Sequence, residues 1–262
     1  MIVMTGINTQ PFIPPSYAQP NDDTGQKQPV DAPVLSRSKR GVALKTALWP
    51  QFSTVRISLM GMTKEQEKFT KDNINKWAPY INLKLEFTKE LDGDIRIKAD
   101  NDVSGGYSYF GTAGKQTVGA GEPTMEIGFK GGFNEFNAGT VLHEFGHALG
   151  LVHEHQHPDN TLDLDFDRIR TIYAATNQPG SVDENFAPVD SRDVVSSAYD
   201  QASIMHYSIP ETYLNSGHRV EEGNELSEGD KQFARELYPI PRPPVPPRWW
   251  NLYNGHVPSS RA

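Results

Sequence analysis

The sequence of 262 residues contains no cysteine. This absence excludes disulfide bonds, a thiolate nucleophile and thiolate metal ligands, so a folded core must depend on packing alone. Any metal ion must instead be bound by histidine, carboxylate or phenolate groups. A latency switch based on cysteine is excluded for the same reason.

The sequence also lacks long apolar runs and excess positive charge. No run approaches the roughly 18 to 20 apolar residues that span a bilayer, and the N-terminus has neither the charged nor the apolar region of a secretory signal. The net charge of −8 disfavours binding to nucleic acid or to an anionic membrane. We therefore expect neither partner, and we expect a monomer that is either cytoplasmic or exported by a non-classical bacterial route.

Composition divides the chain into three parts. Residues 1–43 are rich in Pro, Gln, Asn, Asp and Ser and show no periodicity, which predicts a flexible leader that could serve as a propeptide. Residues 239–262 begin with a proline-rich stretch that favours extended polyproline II structure, so we interpret them as a tail. Residues 44–238 have the apolar patterns of one folded domain.

Two periodicities are present within residues 44–238. Capping residues and apolar stripes predict three helices, over about residues 65–78, 138–149 and 228–237. Thr63, with Gln66 three residues on, has the pattern of a capping box at the start of the first helix. Alternation of apolar and polar residues predicts four or five short strands, because side chains of a strand point to opposite faces in turn. The apolar positions of these strands are Val55, Ile57 and Leu59, then Leu83, Leu85 and Phe87, then Ile95 and Ile97, then Met125, Ile127 and Phe129.

Three histidines lie on and just after the second predicted helix. His143 and His147 are four residues apart, so they share one helix face at a spacing of about 6 Å and can bind one ion. Gly150 tolerates a left-handed conformation that turns the chain sharply, which can bring His153 to the same ion from another direction. Three neutral nitrogens leave a position of Zn²⁺ open to water, as in catalytic sites. The pattern therefore predicts one catalytic zinc ion.

Glu144 directly follows the first of these histidines. Its carboxylate can reach a zinc-bound water without binding the metal, so we predict that it is the general base. For His155 and His157, which come after the third histidine, we expect an exposed or supporting position rather than metal binding. The alternative, that all of these are ordinary surface residues, requires a coincidence expected roughly once in 10⁵ sequences of average composition.

The pattern HExxHxxGxxHE that ends at Glu154 resembles the astacin family of the metzincin clan. A second astacin motif, SxMHY, is matched by Ser203 to Tyr207, and further similarities extend over about residues 44–238. The resemblance implies an α+β fold of the metzincin type. In that fold a twisted mixed β-sheet and two long helices form an N-terminal subdomain. A deep cleft separates it from a less regular C-terminal subdomain that ends in a helix.

The resemblance also implies roles for residues near the predicted metal site. Met205 would form an apolar floor beneath the metal, and Tyr207 would be an additional ligand that moves away to stabilise the tetrahedral intermediate. Glu154 would either contact a processed N-terminus, cut near Arg40, or simply accept hydrogen bonds from nearby backbone. A strand would form the rim of the cleft, where a substrate backbone could pair with it. The residues of this rim are Ser108, Tyr109, Phe110, Gly111 and Thr112.

These observations predict a zinc metalloendopeptidase that acts on protein or peptide substrates. Two alternatives remain open, namely a zinc-binding metzincin scaffold that serves as a binding module and a zinc hydrolase of non-peptide amides. Retention of Glu144 argues against the binding module, since such a protein would be expected to lose this residue. The sequence departs from typical astacins in lacking the cysteines of their disulfides. It also departs in the segment 155–158, so the subsite preferences of the family are not carried over to this chain.

Overall fold

The computed structural model describes residues 41–176 and 182–241. Most of the predicted leader and tail therefore lie outside the described residues. Strand β1 (Val42–Leu44) pairs antiparallel with β7 (Val194–Ser196), so the fold begins ahead of the predicted boundary at residue 44. Within the two described ranges, none of the helices combines the length and apolarity needed to cross a membrane.

A five-stranded sheet forms the first half of the domain. Its strands are β2 (Thr54–Met60), β3 (Lys84–Thr88), β4 (Ile95–Asp100), β5 (Gly106–Ser108) and β6 (Met125–Gly128). They lie in the order β3-β2-β4-β6-β5, with β5 antiparallel to β6 and the other pairs parallel. The strands predicted from alternating apolar residues are confirmed as β2, β3, β4 and β6.

The predicted rim strand near residues 108–112 is wrong beyond Ser108. The N–H groups of Gly111 and Thr112 donate to the carbonyls of His147 and Ala47, each at 2.9 Å, rather than to a neighbouring strand. Gly111 has a φ of 43°, a left-handed conformation that takes the chain out of the sheet. A short helix, α2 (Ala113–Thr117), follows. Only the end of β5 therefore borders the sheet edge as a strand.

Two long helices precede the second half of the chain. They are α1 (Lys64–Ile74) and α3 (Glu135–Ala148). The predicted capping box of Thr63 and Gln66 is present at the start of α1, but this helix ends before residue 78 and a 3-10 helix containing Pro79 follows. Helix α3 begins earlier than predicted because the side chain of Asn134 accepts the N–H of Asn137 at 2.8 Å and caps it.

The second half has less regular structure before its last helix. Its helices are α4 (Phe166–Thr176), α5 (Val182–Phe186) and α6 (Glu228–Leu237). Helix α6 has the predicted bounds. Helices α4 and α5 are additional to the predicted ones and pack around a small core that includes Ile169, Phe186 and Tyr213. The first half of the domain contains a mixed sheet and two long helices, and the second half is less regular and ends in a helix. This arrangement confirms the predicted α+β class.

The main core lies between the sheet and helices α1, α3 and α6. Two buried tryptophans within it hold helix α3 by hydrogen bonds to its backbone. The indole N–H of Trp77 donates to the carbonyl of Leu142 at 3.2 Å, and that of Trp49 to the carbonyl of Ala148 at 2.7 Å. Because each large apolar side chain contributes about 2 to 3 kcal/mol when buried, the helix that carries the paired histidines is firmly placed.

Gly146 on α3 packs directly against Met205, and both residues are buried. A Cβ atom at this glycine would overlap the Sδ atom of that methionine. We expect Gly146→Ala to lower the free energy of unfolding by about 1 to 3 kcal/mol, because overpacking outweighs a gain in helix propensity of about 1 kcal/mol. Urea denaturation measures this change.

A matched control is Gly139→Ala on the same helix. There the new methyl group would lie 2.8 Å from Oδ1 and 3.1 Å from Cα of the exposed Asn224, a smaller overlap than the 2.3 Å to the Sδ of Met205 at Gly146. We therefore expect a smaller loss of stability than at Gly146. A Gly146→Ala variant as stable as the wild type would contradict the tight packing between the helix and Met205.

Candidate active site

The C-terminal end of α3 reverses the direction of the chain. Gly150 lies just beyond the helix with a φ of 100°, a conformation that strains any residue with a side chain. The N–H of Leu151 donates to the carbonyl of Gly146 at 3.0 Å, and the N–H of Gly150 to that of His147 at 2.8 Å. These are the two hydrogen bonds of a Schellman motif. The reversal places His153 back beside the helix, as predicted.

Backbone contacts fix the segment after this turn on both sides. Residues 150–152 form two hydrogen bonds of 3.0 and 3.1 Å with strand β1. Further on, the N–H of Glu154 donates to the carbonyl of Met205 at 2.9 Å. His153 therefore lies between two anchored points, and its imidazole has little freedom to leave the site.

The imidazoles of His143, His147 and His153 converge on one point. One nitrogen of each lies within 4.8 Å of the others, and Nε2 of His147 is 3.0 Å from Nε2 of His153. The Nδ1 atoms of His143 and His147 donate to the carbonyls of Ile204 and Leu151, at 2.7 and 2.8 Å. This tautomer leaves their Nε2 lone pairs free for a metal.

Burial keeps these three imidazoles neutral. It lowers the pKa of His143 to about 4 and that of His147 to about 3, and it lowers the pKa of His153 well below its ordinary value. Each ring therefore has an unprotonated nitrogen at neutral pH. Three neutral nitrogen donors are a ligand set that Zn²⁺ takes in catalytic sites, so the residues present fit the predicted ion.

Glu144 is buried between α3 and the edge of the sheet. Its Cγ atom lies 2.9 Å from where a Cβ would stand at Gly106, so only a glycine of β5 leaves room for this side chain. Burial raises the pKa of the Glu144 carboxyl to about 8. A divalent cation nearby would oppose this shift, because positive charge favours the ionised form.

Tyr207 stacks on the histidine cluster. Its ring centroid is 4.1 Å from that of His153 and 5.6 Å from that of His143. Burial raises the pKa of its phenol, so the hydroxyl stays protonated at neutral pH and can donate a hydrogen bond. The structure thus brings together the three predicted histidine ligands, the predicted base and this predicted tyrosine.

The turn that carries Met205 is held by a carboxylate of helix α6. Asp230 accepts the hydroxyl of Ser203 at 2.6 Å and the N–H of Ile204 at 2.8 Å, and the N–H of Met205 donates to the Ser203 hydroxyl at 3.0 Å. Sequence analysis gave Asp230 no such role. No local pattern reveals it, because the carboxylate and the turn are joined only by the fold.

Glu154 is buried and accepts the N–H of Asp200 at 2.7 Å. This bond agrees with the interpretation of Glu154 as an acceptor for nearby backbone. Burial raises the pKa of its carboxyl to about 9, with smaller contributions from the charges of Asp230 and Asp200. Contact with a processed N-terminus stays a prediction, since the residues before Gly41 lie outside the described part of the chain.

For His155 and His157 we expected either an exposed or a supporting position. The exposed position is wrong, because both side chains are fully buried. The Nε2 atom of His155 donates to the carbonyl of Asn185 at 2.8 Å. Its ring stacks on His153 and Tyr207 at centroid distances of 5.3 and 4.9 Å. Neither residue belongs to the converging cluster, so His155 supports the site by packing.

The predicted rim residues contact the end of α3 as well as the sheet. Ser108 is the last residue of the edge strand β5. Phe110 packs edge-on against His147, with ring centroids 5.0 Å apart. Gly111 donates its N–H to the carbonyl of the same histidine at 2.9 Å. This segment therefore links β5, the edge strand of the sheet among the described residues, to the histidine cluster.

The chain is similar to peptidases of a known family. The family model for Astacin, a family of peptidases, matches residues 42–219. Zinc metalloproteinase nas-39 of Caenorhabditis elegans is 34% identical over 216 residues, which are 77% of this chain and 21% of that protein. Tolloid-like protein 1 of Mus musculus is 28% identical over 235 residues, 84% of this chain and 21% of that protein. The chain thus spans about a fifth of the length of these curated relatives.

Solved structures agree with the sequence comparison. The structure of myroilysin superposes with a TM-score of 0.71 at 34% identity, covering 77% of this chain and all of that one. High choriolytic enzyme 1, a hatching enzyme zinc-protease from Oryzias latipes, is similar in fold, with a TM-score of 0.51, 18% identity, and coverage of 75% and 98%. The chain therefore belongs to the astacin family of peptidases, as its two motifs predict.

Proposed function

We propose that the chain is a zinc-dependent endopeptidase whose single zinc ion is held by His143, His147 and His153. The observation that carries this proposal is the convergence of three neutral imidazoles beside the buried carboxyl of Glu144. Membership of a peptidase family supports it, as does the description of a relative as a zinc metalloproteinase. The substrates would be proteins or peptides.

Glu144 would move the proton during hydrolysis. When bound, zinc supplies Lewis-acid polarisation of the scissile carbonyl and of the attacking water. The Glu144 carboxylate would take a proton from that water and deliver it to the leaving amine. Its burial suits both tasks, because a carboxylate with a raised pKa is a stronger base and retains the proton until the amine departs. The chain forms no covalent bond with the substrate.

Tyr207 would stabilise the negative charge that develops on the carbonyl oxygen. Its phenol stays protonated, and stacking on His143 and His153 holds it beside the site. In the resting enzyme we propose it as an additional metal ligand, as in the family that the sequence resembles. A donor placed for the oxyanion is worth most where water is excluded, and this phenol is largely enclosed.

The open edge of the sheet would receive the substrate backbone. Strand β5 pairs with β6 on one side and is the last strand of the sheet. An extended peptide could add to its free edge through backbone hydrogen bonds. Because Gly106 of β5 lies against the side chain of Glu144, a peptide bound there would place its scissile bond close to the proposed base.

Removal of any one of the three histidines should remove the zinc ion. Two imidazoles rarely retain Zn²⁺ against water and chelators, so we expect the Ala variants of His143, His147 and His153 to hold well under one equivalent after dialysis. Elemental analysis by mass spectrometry measures this. His218→Ala changes an exposed histidine and should keep the full equivalent. Retention of zinc by His153→Ala, with its loss from His157→Ala, would refute the ligand assignment.

Hydrolysis of casein tests the proposed function directly. We expect a chelator to abolish it and Glu144→Gln to reduce it by about 10²- to 10⁴-fold, because the substitution removes the base and preserves its shape. Zinc content should not change. Glu135→Gln, at an exposed position of the same helix, is the matched control and should retain full activity.

Two results of that experiment would overturn the proposal. A zinc-loaded wild type that binds casein without cutting it would indicate a binding module. Hydrolysis of small acyl amides in the absence of any peptide cleavage would indicate a hydrolase of non-peptide amides.

Tyr207→Phe should lower kcat and leave KM nearly unchanged. The phenol is proposed to act on the oxyanion, which exists only after the attack, and loss of one such donor costs about 10²- to 10³-fold in kcat. Steady-state kinetics on a fluorogenic peptide, at matched zinc content, separates the two constants. An unchanged kcat would show that the ring contributes only packing against His153.

A further inference from the structure

A carboxylate that the proposed mechanism does not use lies beside Tyr207. Ile209 and Val220 form an antiparallel bridge with backbone hydrogen bonds of 2.9 and 3.0 Å. Tyr207 lies two residues before Ile209 and Glu222 two residues after Val220, so both residues leave the bridge at the same end. The backbone N–H of Ser208, the residue after that tyrosine, hydrogen-bonds to the Glu222 carboxylate. Both observations place the Glu222 carboxylate close to the backbone that carries the phenol.

The residues after Glu222 contact the helix that carries the paired histidines. A Cβ at Gly139 would lie 2.8 Å from Oδ1 of Asn224 and 3.1 Å from its Cα. Gly139 is one helical turn before His143. The segment therefore runs from the neighbourhood of Tyr207 to α3, and Glu222 belongs to the wall that the second half of the chain forms beside the proposed metal centre.

The charge of this carboxylate acts on the site. Burial raises the pKa of Tyr207 first, and the negative charges of Glu144 and Glu222 raise it further. Glu222 is itself exposed, so its side chain borders solvent where a substrate side chain could approach.

Arg219 is a positively charged residue on the same segment, and its guanidinium contacts two neighbouring side chains. Its guanidinium pairs with Glu221 at 2.9 Å and donates to the hydroxyl of Ser208 at 3.0 Å. Partial desolvation of the Glu222 carboxyl raises its pKa, the positive charge of Arg219 lowers it, and the charge of Glu221 raises it again. Arg219 thus faces two carboxylates, those of Glu221 and Glu222, so this segment keeps a net negative charge.

We propose that Glu222 is a specificity-determining residue that selects a lysine or arginine side chain next to the scissile bond. This inference rests on the proposed endopeptidase function and names its substrate class. An ammonium or guanidinium group beside the carboxylate gains a charge-assisted hydrogen bond. An acidic side chain at the same place is repelled, and this repulsion contributes to the discrimination as much as the attraction does.

Matched peptides test the assignment. The residues that flank each cut in casein are first identified by mass spectrometry. A fluorogenic peptide is then made with lysine, norleucine or glutamate at each flanking position, and kcat/KM is measured for each. At one position we expect the wild type to prefer lysine over norleucine by about fivefold, the ratio that corresponds to about 1 kcal/mol for a partly solvated ion pair. Glutamate should be the poorest of the three.

Variants of the wall assign the preference to Glu222. Glu222→Gln should bring the ratio for lysine over norleucine close to one, and Glu222→Lys should favour glutamate. Glu225→Gln is the matched control and should keep the lysine preference, because this exposed carboxylate pairs with Lys76 and not with Arg219. Because each readout is a ratio measured on one preparation, a partial loss of folded enzyme does not affect it. Added salt should weaken the wild-type preference, since exposed charges are screened.

The outcomes separate the two proposals. Cleavage of the norleucine peptides without a lysine preference, or with a preference that survives in Glu222→Gln, overturns the role of Glu222 and leaves the endopeptidase proposal intact. Failure of the zinc-loaded wild type to cut casein or any of the peptides overturns both.

Discussion

Helix α3 ends at a left-handed glycine, and the position of the third histidine follows from that conformation. Two histidines on one helix face supply only two nitrogens, which do not make a catalytic zinc site. The Schellman hydrogen bonds at Gly150 redirect the backbone so that His153 faces its predecessors. The turn needs partners for its own backbone groups, and strand β1 supplies them. The first strand of the domain, although remote from any reaction, is thus a condition for the geometry of the site.

The absence of cysteine makes buried hydrogen bonds to the site more important. The indole of Trp77 fixes helix α3, and the carboxylate of Asp230 fixes the turn that carries Met205. The two residues are far apart in the sequence. Each such bond contributes only about 1 kcal/mol net, but leaving its buried partner unpaired costs about 1 to 3 kcal/mol. The arrangement therefore resists partial opening, since loosening one element exposes unsatisfied groups in another. A disulfide would act differently, mainly by restricting the unfolded chain.

Local patterns predicted much of this fold because they reflect geometry within a few residues. The helix that carries His143 follows from 3.6-residue periodicity, and the capping box at Thr63 from a three-residue spacing. Strands β1 and β7 have three residues each and pair across most of the chain, so no periodicity reveals them. Helix α4 had a usable signal, since Phe166, Ile169 and Tyr173 recur at helical spacing. The burial of His155 had none, because its environment comes from distant residues.

The charge balance of the site follows from the neutrality of its proposed ligands. Three neutral imidazoles would leave the full charge of a divalent ion to act on the groups around it. Burial raises the pKa values of Glu144 and Tyr207, and nearby negative charges raise that of Tyr207 further. The ion would lower both. Burial and the ion thus shift the pKa of the carboxyl, and likewise that of the phenol, in opposite directions. The difference between their ordinary pKa values decides which of the two groups ionises first. The carboxyl, whose ordinary pKa is the lower one, would therefore ionise at a lower pH than the phenol. One environment can therefore provide a base and a hydrogen-bond donor on adjacent sides of the same reacting carbonyl.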